Sequence, residues 1–131
     1  MHNEHSRFPD PTDSELAILR VLWQRGPSSV REIHGELDRA QSCGYTTVLK
    51  IMQIMLNKGL LVRDETNRAH IYQAVPAETK VQQRLTDRLV KKAFGGSAQK
   101  LVMGALSARK ATSEELAEIR KLLDELEGEN R

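Results

Sequence analysis

Gly44-Tyr45-Thr46-Thr47-Val48-Leu49-Lys50-Ile51-Met52-Gln53-Ile54-Met55-Leu56-Asn57-Lys58-Gly59 is the stretch on which the reading of this chain turns. Val48, Ile51, Met52 and Met55 recur at i, i+3, i+4 and i+7, the spacing of a buried helical stripe. Thr46, Thr47, Lys50 and Gln53 fall on another side, and none of them is acidic. The pattern predicts a helix from about Thr46 to Asn57, stopped by Asn57-Lys58-Gly59. A helix that buries one side and presents Thr, Lys and Gln on the other suits the negatively charged major groove of DNA. Any solvated helix face can carry Lys and Gln, so the flanking elements decide between the two explanations.

Upstream, Thr12-Asp13-Ser14-Glu15 has the form of a capping box. Leu16, Leu19, Leu22 and Trp23 mark the amphipathic helix that follows, and Gly26-Pro27 ends it. Ser29-Val30-Arg31-Glu32 repeats the capping pattern and opens a shorter helix that buries Val30, Ile33 and Leu37. Gln41-Ser42-Cys43-Gly44 then reads as a turn. Downstream the period changes. Leu60-Leu61-Val62-Arg63 and Ala69-His70-Ile71-Tyr72-Gln73-Ala74-Val75, joined through the polar Thr66-Asn67-Arg68, predict a two-stranded hairpin with a charged tip, ended by Pro76. Three helices followed by such a hairpin make a winged helix-turn-helix.

The remainder reads as three helices. Val81, Leu85, Leu89 and Ala93 stripe a helix from about Glu78 to Phe94, and Gly95-Gly96 breaks it. Ser97 caps a second helix holding Leu101, Val102, Ala105 and Leu106. Thr112-Ser113-Glu114-Glu115 opens a third, in which Leu116, Ile119, Leu123 and Leu126 alternate steps of three and four, the pattern of a coiled-coil seam. Short helices with this much leucine cannot bury their apolar faces within one slim arm, and self-association is the simplest remedy. The expected fold is therefore mainly α with a small β-hairpin. Its expected divisions are a flexible tail over 1–10, the winged helix over 11–76, a helical dimerisation module over 77–127 and a short tail over 128–131.

Composition narrows the function classes. The chain has 131 residues and a net charge of +2, with a single cysteine. Cys43 cannot form an intramolecular disulfide and belongs to no cluster of zinc-ligand spacing, which fits a reducing cytoplasm. No segment approaches the roughly 18 apolar residues of a membrane span, so no membrane insertion is expected. Charge is unevenly spread: Glu78–Lys110 holds eight cations against two acids, whereas the chain from Ala111 onward holds seven acids against three cations. That permits nucleic-acid contact in the middle of the chain and disfavours it at the end. No Gly-rich phosphate loop, nucleophile–histidine pair or metal-ligand cluster is evident, so an enzyme is not expected, nor any cofactor or metal. His2 and His5 have His-x-x-His spacing without a third ligand. His34 reads as a half-exposed side chain, Trp23 as core and Cys43 as an incidental turn residue.

Leu16–Trp23 with Gly26-Pro27, Gly44–Leu49 through Lys58-Gly59-Leu60, and Phe94-Gly95-Gly96-Ser97 with Leu101-Val102 and Ser113-Glu114-Glu115-Leu116 together resemble the penicillinase-repressor (BlaI/MecI) family of bacterial winged-helix regulators. The match runs from about Thr12 to Leu126. The resemblance implies a homodimeric transcriptional repressor of a palindromic operator, with the C-terminal helices clasping the partner. It also implies control of beta-lactam-resistance or related stress genes. Members guarding that resistance are inactivated by proteolysis after a membrane sensor-protease detects the drug. The cleaved position matches Gly104-Ala105 here, where the family's asparagine–phenylalanine pair is absent. Copper-responsive members carry paired Cys-x-Cys motifs, which this chain lacks.

Individual side chains follow from groove chemistry. Gln53 can pair with adenine, Lys50 can reach guanine acceptors, and the methyls of Thr46 and Thr47 can touch thymine. Tyr45 can donate to a phosphate or cover the core, and Leu49 can touch thymine methyls or pack at the domain edge. Arg63, Arg68 and His70 on the wing, Arg31 near the start of the second helix and, more weakly, Arg39 are phosphate candidates. Leu101, Val102, Leu106, Leu116, Ile119, Leu123 and Leu126 are expected at the dimer contact. The alternative to a DNA reader is a winged-helix adaptor that binds only protein.

Overall fold

The computed structural model describes residues 8–130, so His2 and His5 lie outside the described residues. Eight elements follow one another: α1 (Asp13–Arg25), α2 (Val30–Ala40), α3 (Tyr45–Lys58), β1 (Leu61–Asp64), β2 (Ile71–Ala74), α4 (Glu78–Ala93), α5 (Ala98–Ala108) and α6 (Ser113–Glu129). They form two compact units that divide between Leu85 and Thr86, within α4.

In the first unit both capping boxes form. The Thr12 N–H donates to Glu15 Oε1 at 2.9 Å and the Glu15 N–H to Thr12 Oγ1 at 3.2 Å. Ser29 and Glu32 repeat the exchange at 2.9 and 3.2 Å. Each satisfies two backbone groups that a helix start would otherwise leave bare. Helices α1 to α3 then close over one core, in which Ile18, Leu19, Ile33, Met52, Met55, Leu60 and Val81 are all but inaccessible. The buried stripe of α1 is Ile18, Leu19, Val21 and Leu22, while Leu16 and Trp23 pack at its edge only partly covered. On α2, Val30 and Ile33 are buried and Leu37 is half-buried.

Gly59 ends α3 in the left-handed region at φ 83°, where a side chain would be strained. The Leu60 N–H reaches back to the Met55 carbonyl at 2.9 Å, which turns the chain sharply into β1. Strands β1 and β2 pair antiparallel, with Leu61 opposite Ala74 and Asp64 opposite Ile71. The sequence did not suggest a further pairing. Ser28, fully buried between α1 and α2, exchanges backbone hydrogen bonds with Tyr72 at 3.1 and 2.8 Å. Tyr72 is the inward residue of β2, whereas Val75 is exposed. The Trp23 indole N–H donates to the Pro76 carbonyl at 3.1 Å and ties α1 to the end of the hairpin.

In the first unit, two boundaries differ from the expected ones. Phe8 is buried in the core, and the Arg84 guanidinium lies 4.0 Å over its ring while donating to the Phe8 carbonyl and to Asp10 Oδ1 at 3.3 Å. Residues 8–10 are thus part of the first unit, held by a cation–π contact and hydrogen bonds rather than loose. Val81 and Leu85 pack on the same core, so the first unit extends past Pro76 into α4.

In the second unit, Gly95 and Gly96 adopt φ 59° and 84° after α4, and the Gly96 N–H donates to the Val90 carbonyl at 2.9 Å. Ser97 caps α5 and Thr112 with Glu115 boxes α6. Helix α6 continues through Glu129, beyond the point where a tail was expected. No residue of α5 or α6 is buried.

One ion pair in the first unit carries a stability prediction. Lys58 Nζ lies 2.7 Å from Glu15 Oε2, and Glu15 is almost fully buried. Burial alone would push the Glu15 carboxyl up, but the Lys58 ammonium and the Thr12 amide together outweigh it and hold the carboxyl below the usual range. A folded-state pKa below the unfolded one stabilises above the ordinary carboxylate range, and that stabilisation is lost as pH falls through the lowered value. Lys58→Ala should cost about 1–3 kcal/mol at neutral pH by urea denaturation, since it leaves a buried carboxylate without its charged partner. The difference from the parent should shrink in acid; a difference constant from neutral to acid pH would refute the linkage.

Candidate nucleic-acid interface

Helix α3 has the two faces its sequence predicts. Val48, Met52 and Met55 are buried and Ile51 is half-buried, whereas Thr46, Thr47, Lys50 and Gln53 are all exposed. Gly44 at the N-cap offers no side chain to the first-turn amides, and no acid occupies that turn. The start of α3 therefore retains the positive end of the helix dipole, which favours an anion.

Two residues of this face were missed. Ile54 and Asn57 are exposed, four and seven residues beyond Lys50. At 3.6 residues per turn those offsets place both on the same side as Lys50 and Thr46. The helical period could have found them; Ile54, being apolar, offers no hydrogen-bonding group that would single it out for a DNA-facing role.

Several phosphate candidates that are far apart in sequence line one groove of about 380 Å³. Its walls are Ser29, Val30 and Arg31 from the start of α2, Tyr45 and Leu49 from α3, and Arg68, Ala69, His70 and Tyr72 from the hairpin. Tyr45 is open to this groove rather than buried in the core, being 44% exposed, and its ring meets His34 edge-on at 5.7 Å. Arg31, Arg39 and Arg68 are exposed.

Arg63 stands differently. Its guanidinium contacts Glu65 Oε2 at 2.6 and 2.8 Å. The Tyr72 hydroxyl and the Glu65 carboxylate raise its pKa above the ordinary arginine value. Arg63 thus braces the hairpin and has less of its charge to offer outward than Arg68. At the tip, both the amide and the hydroxyl of Thr66 donate to Asp64 Oδ1, which holds the Asp64 carboxyl below its usual range. Of the cations in the basic middle segment, Arg84 is committed to Phe8 and Asp10, and Lys91 pairs with Asp87 at 3.0 Å.

The expected contact residues of the second unit are under-packed. Val102, Leu106, Leu123 and Leu126 are exposed, and Leu101, Leu116 and Ile119 are half-buried. Met103 and Leu122, which the sequence reading passed over, are 60% and 53% exposed. At Gly104 an added Cβ would lie 3.4 Å from the Phe94 ring, so the absence of a side chain there permits α5 to approach that ring. Ala105 beside it is exposed. No helix among the described residues is long and apolar enough to cross a membrane.

Comparison with known proteins agrees with this geometry. The family model described as penicillinase repressor matches residues 11–125. The transcriptional regulator BlaI of Mycobacterium tuberculosis is 30% identical over 117 residues, spanning 88% of this chain and 83% of that protein. The penicillinase repressor of Bacillus licheniformis is 20% identical over 119 residues, spanning 91% and 93%. The solution structure of the DNA-binding domain of the repressor BlaI aligns with 56% of this chain and 89% of its own at a TM-score of 0.51 and 22% identity, which supports the winged-helix fold. Because the match takes in the winged helix and nearly all of the helical arm, the chain belongs to the penicillinase repressor family of DNA-binding transcriptional repressors, which are not enzymes.

Proposed function

We propose that this protein represses transcription by binding a palindromic operator in double-stranded DNA as a homodimer. Each copy lays the outer face of α3 in a major groove and sets its wing against the adjoining backbone. The exposed, acid-free face of α3 beside a groove lined by Arg31, Tyr45, Arg68 and His70 is the observation that carries this reading. Lys50 and Gln53, with Thr46 and Thr47, read base edges. Arg31, Tyr45 and Arg68 hold phosphates, and Arg63 contributes mainly by fixing the wing. Phosphate contacts set register and base contacts set sequence, so the two sets fail differently when removed.

The first unit, whose core takes in Phe8, Val81 and Leu85, acts as the DNA-binding part, and the helical unit from Thr86 onward acts as the pairing part. Leu101, Val102, Leu106, Leu116, Ile119, Leu123 and Leu126, joined by Met103 and Leu122, supply the apolar surface that a second copy covers. Repression ends by cutting at Gly104-Ala105, carried out by a membrane sensor-protease or a protease downstream of it, and the controlled genes serve beta-lactam resistance or a related stress. The relative named penicillinase repressor supports the last point.

Lys50→Ala and Gln53→Ala should each weaken specific operator binding by roughly 1–3 kcal/mol per half-site in a titration, with little change on random DNA. If both variants bind an operator as the parent does, the base-reading assignment is wrong. Arg31→Ala and Arg68→Ala should weaken operator and random DNA alike, and each, removing one phosphate contact from both copies of the dimer, should reduce the salt slope by about 1.8 log units per log unit of salt. Salt-insensitive binding would point to a protein-binding adaptor. Leu123→Asp combined with Leu126→Asp should yield monomers by sedimentation and a marked loss of operator affinity. A parent that sediments as a monomer at micromolar concentration contradicts the pairing.

A further inference from the structure

Behind the start of α3, three metal-ligating side chains of different chemistry converge. His34 and Asp38 are four residues apart on α2 and so share a face. Cys43 returns to them through the turn that leads into α3. A His34 ring nitrogen, an Asp38 carboxylate oxygen and Cys43 Sγ all lie within 4.8 Å of one another. The same residues hold the turn in shape: the Cys43 N–H donates to Asp38 Oδ1 at 3.1 Å, and His34 Nε2 lies 2.8 Å from the Cys43 carbonyl oxygen. That carbonyl can only accept, so Nε2 donates in this contact, and in the neutral tautomer that fits it the lone pair is on Nδ1. A ring whose other N–H is held by a backbone carbonyl is the usual state of a metal-ligating histidine. His34 and Cys43 are half-buried and Asp38 is exposed, so the donors are partly sheltered yet reachable.

We propose that His34, Asp38 and Cys43 bind one borderline divalent cation, zinc(II) by donor chemistry, with water as the fourth ligand. Imidazole, thiolate and carboxylate together suit tetrahedral zinc and do not suit magnesium or calcium, which take oxygen donors. Tetrahedral zinc, with bonds of about 2.0–2.3 Å, holds its donors roughly 3.3–3.8 Å apart, so the side chains need to close by little more than an ångström. The Cys43 thiol binds as thiolate, and its proton passes to solvent. The ion fastens α2 to the residue two positions before Tyr45, whose ring already abuts His34. Loading the site therefore stiffens the entry to α3. The spacing His-x3-Asp-x4-Cys was open to inspection, but neighbouring histidine and cysteine in a helix and a turn read as unrelated residues.

Titrating the full chain with cobalt(II) tests this. The parent should develop a thiolate-to-cobalt charge-transfer band and tetrahedral d–d bands that saturate at one ion per chain, and zinc(II) should abolish them. Cys43→Ser should lose the charge-transfer band. His34→Gln and Asp38→Asn should weaken cobalt binding at least tenfold, and the asparagine keeps an acceptor for the Cys43 N–H, so its fold is preserved. Circular dichroism confirms that each variant is folded before it is scored. No band in the parent, or cobalt affinity unchanged in folded His34→Gln and Asp38→Asn, overturns the site. Neither readout involves DNA, so the result stands apart from the operator-binding reading.

Discussion

The grip of the core on the back of α3 determines what its front can do. Val48, Met52 and Met55 are at most 2% exposed, and between them they fix the rotation of the helix. Turning α3 by a single residue, about 100°, would carry Met52 and Met55 toward solvent and drive Lys50 or Gln53 toward the interior. Losing one buried methionine costs about 2–5 kcal/mol, and an unpaired polar group in the core adds a further penalty. The exposed set Thr46, Lys50, Ile54 and Asn57 is thus held in one orientation by residues that never meet a ligand. Methionine suits the two deepest positions because its unbranched chain fills irregular gaps where three helices meet.

The same dependence extends to the wing. A two-stranded hairpin is marginal alone in water. Here it is secured by the buried Tyr72, by the Ser28 backbone pairing and by the Trp23 hydrogen bond at its exit. These attachments place Arg68 and His70 across one groove from Arg31 and Tyr45. Ser28 lies in the short connection that sets α2 against α1, so the start of α2 and the wing are positioned by one small region. Charge is arranged with similar economy. Glu65 binds Arg63 and Glu32 and Glu36 bind Arg25, so these acids answer cations of their own unit.

Features that repeat along the chain were legible in the sequence. The two capping boxes of the first unit, the apolar period of α3, the Gly59 stop and the order of helices before the hairpin depend on residues close in sequence, and each was read correctly. Tertiary overrides were not legible. Glu15 looked like a capping residue only, yet it is also the buried partner of Lys58, which is 43 residues away. Phe8 precedes the first periodic segment and so looked like tail, although Arg84 holds it in the core. On the proposed reading face, the sequence named Thr46, Thr47, Lys50 and Gln53 but passed over the apolar Ile54. Arg63 and Arg68 look alike in sequence; only the position of Glu65 separates a braced guanidinium from an exposed one.

The second unit poses the opposite problem, an excess of apolar surface without a core to receive it. Large side chains on α5 and α6 stand open in the single chain, Met103, Leu122 and Leu123 among them. Leaving several such groups in water forgoes roughly 1.5–3 kcal/mol for each that burial would cover. Helical propensity and the capped starts of α5 and α6 keep the helices formed, but they do not supply a reason for the leucines. A second copy, as proposed, would supply one, because a self-complementary face lets a single patch of sequence serve both sides of the contact. Pairing would also change the arithmetic of DNA binding: once one α3 is seated, the other searches at a high effective concentration, so two modest contacts add into one firm one. A device that loosens α5 would then act on affinity without touching α3, which is where a switch can be placed at least cost to the reading of sequence.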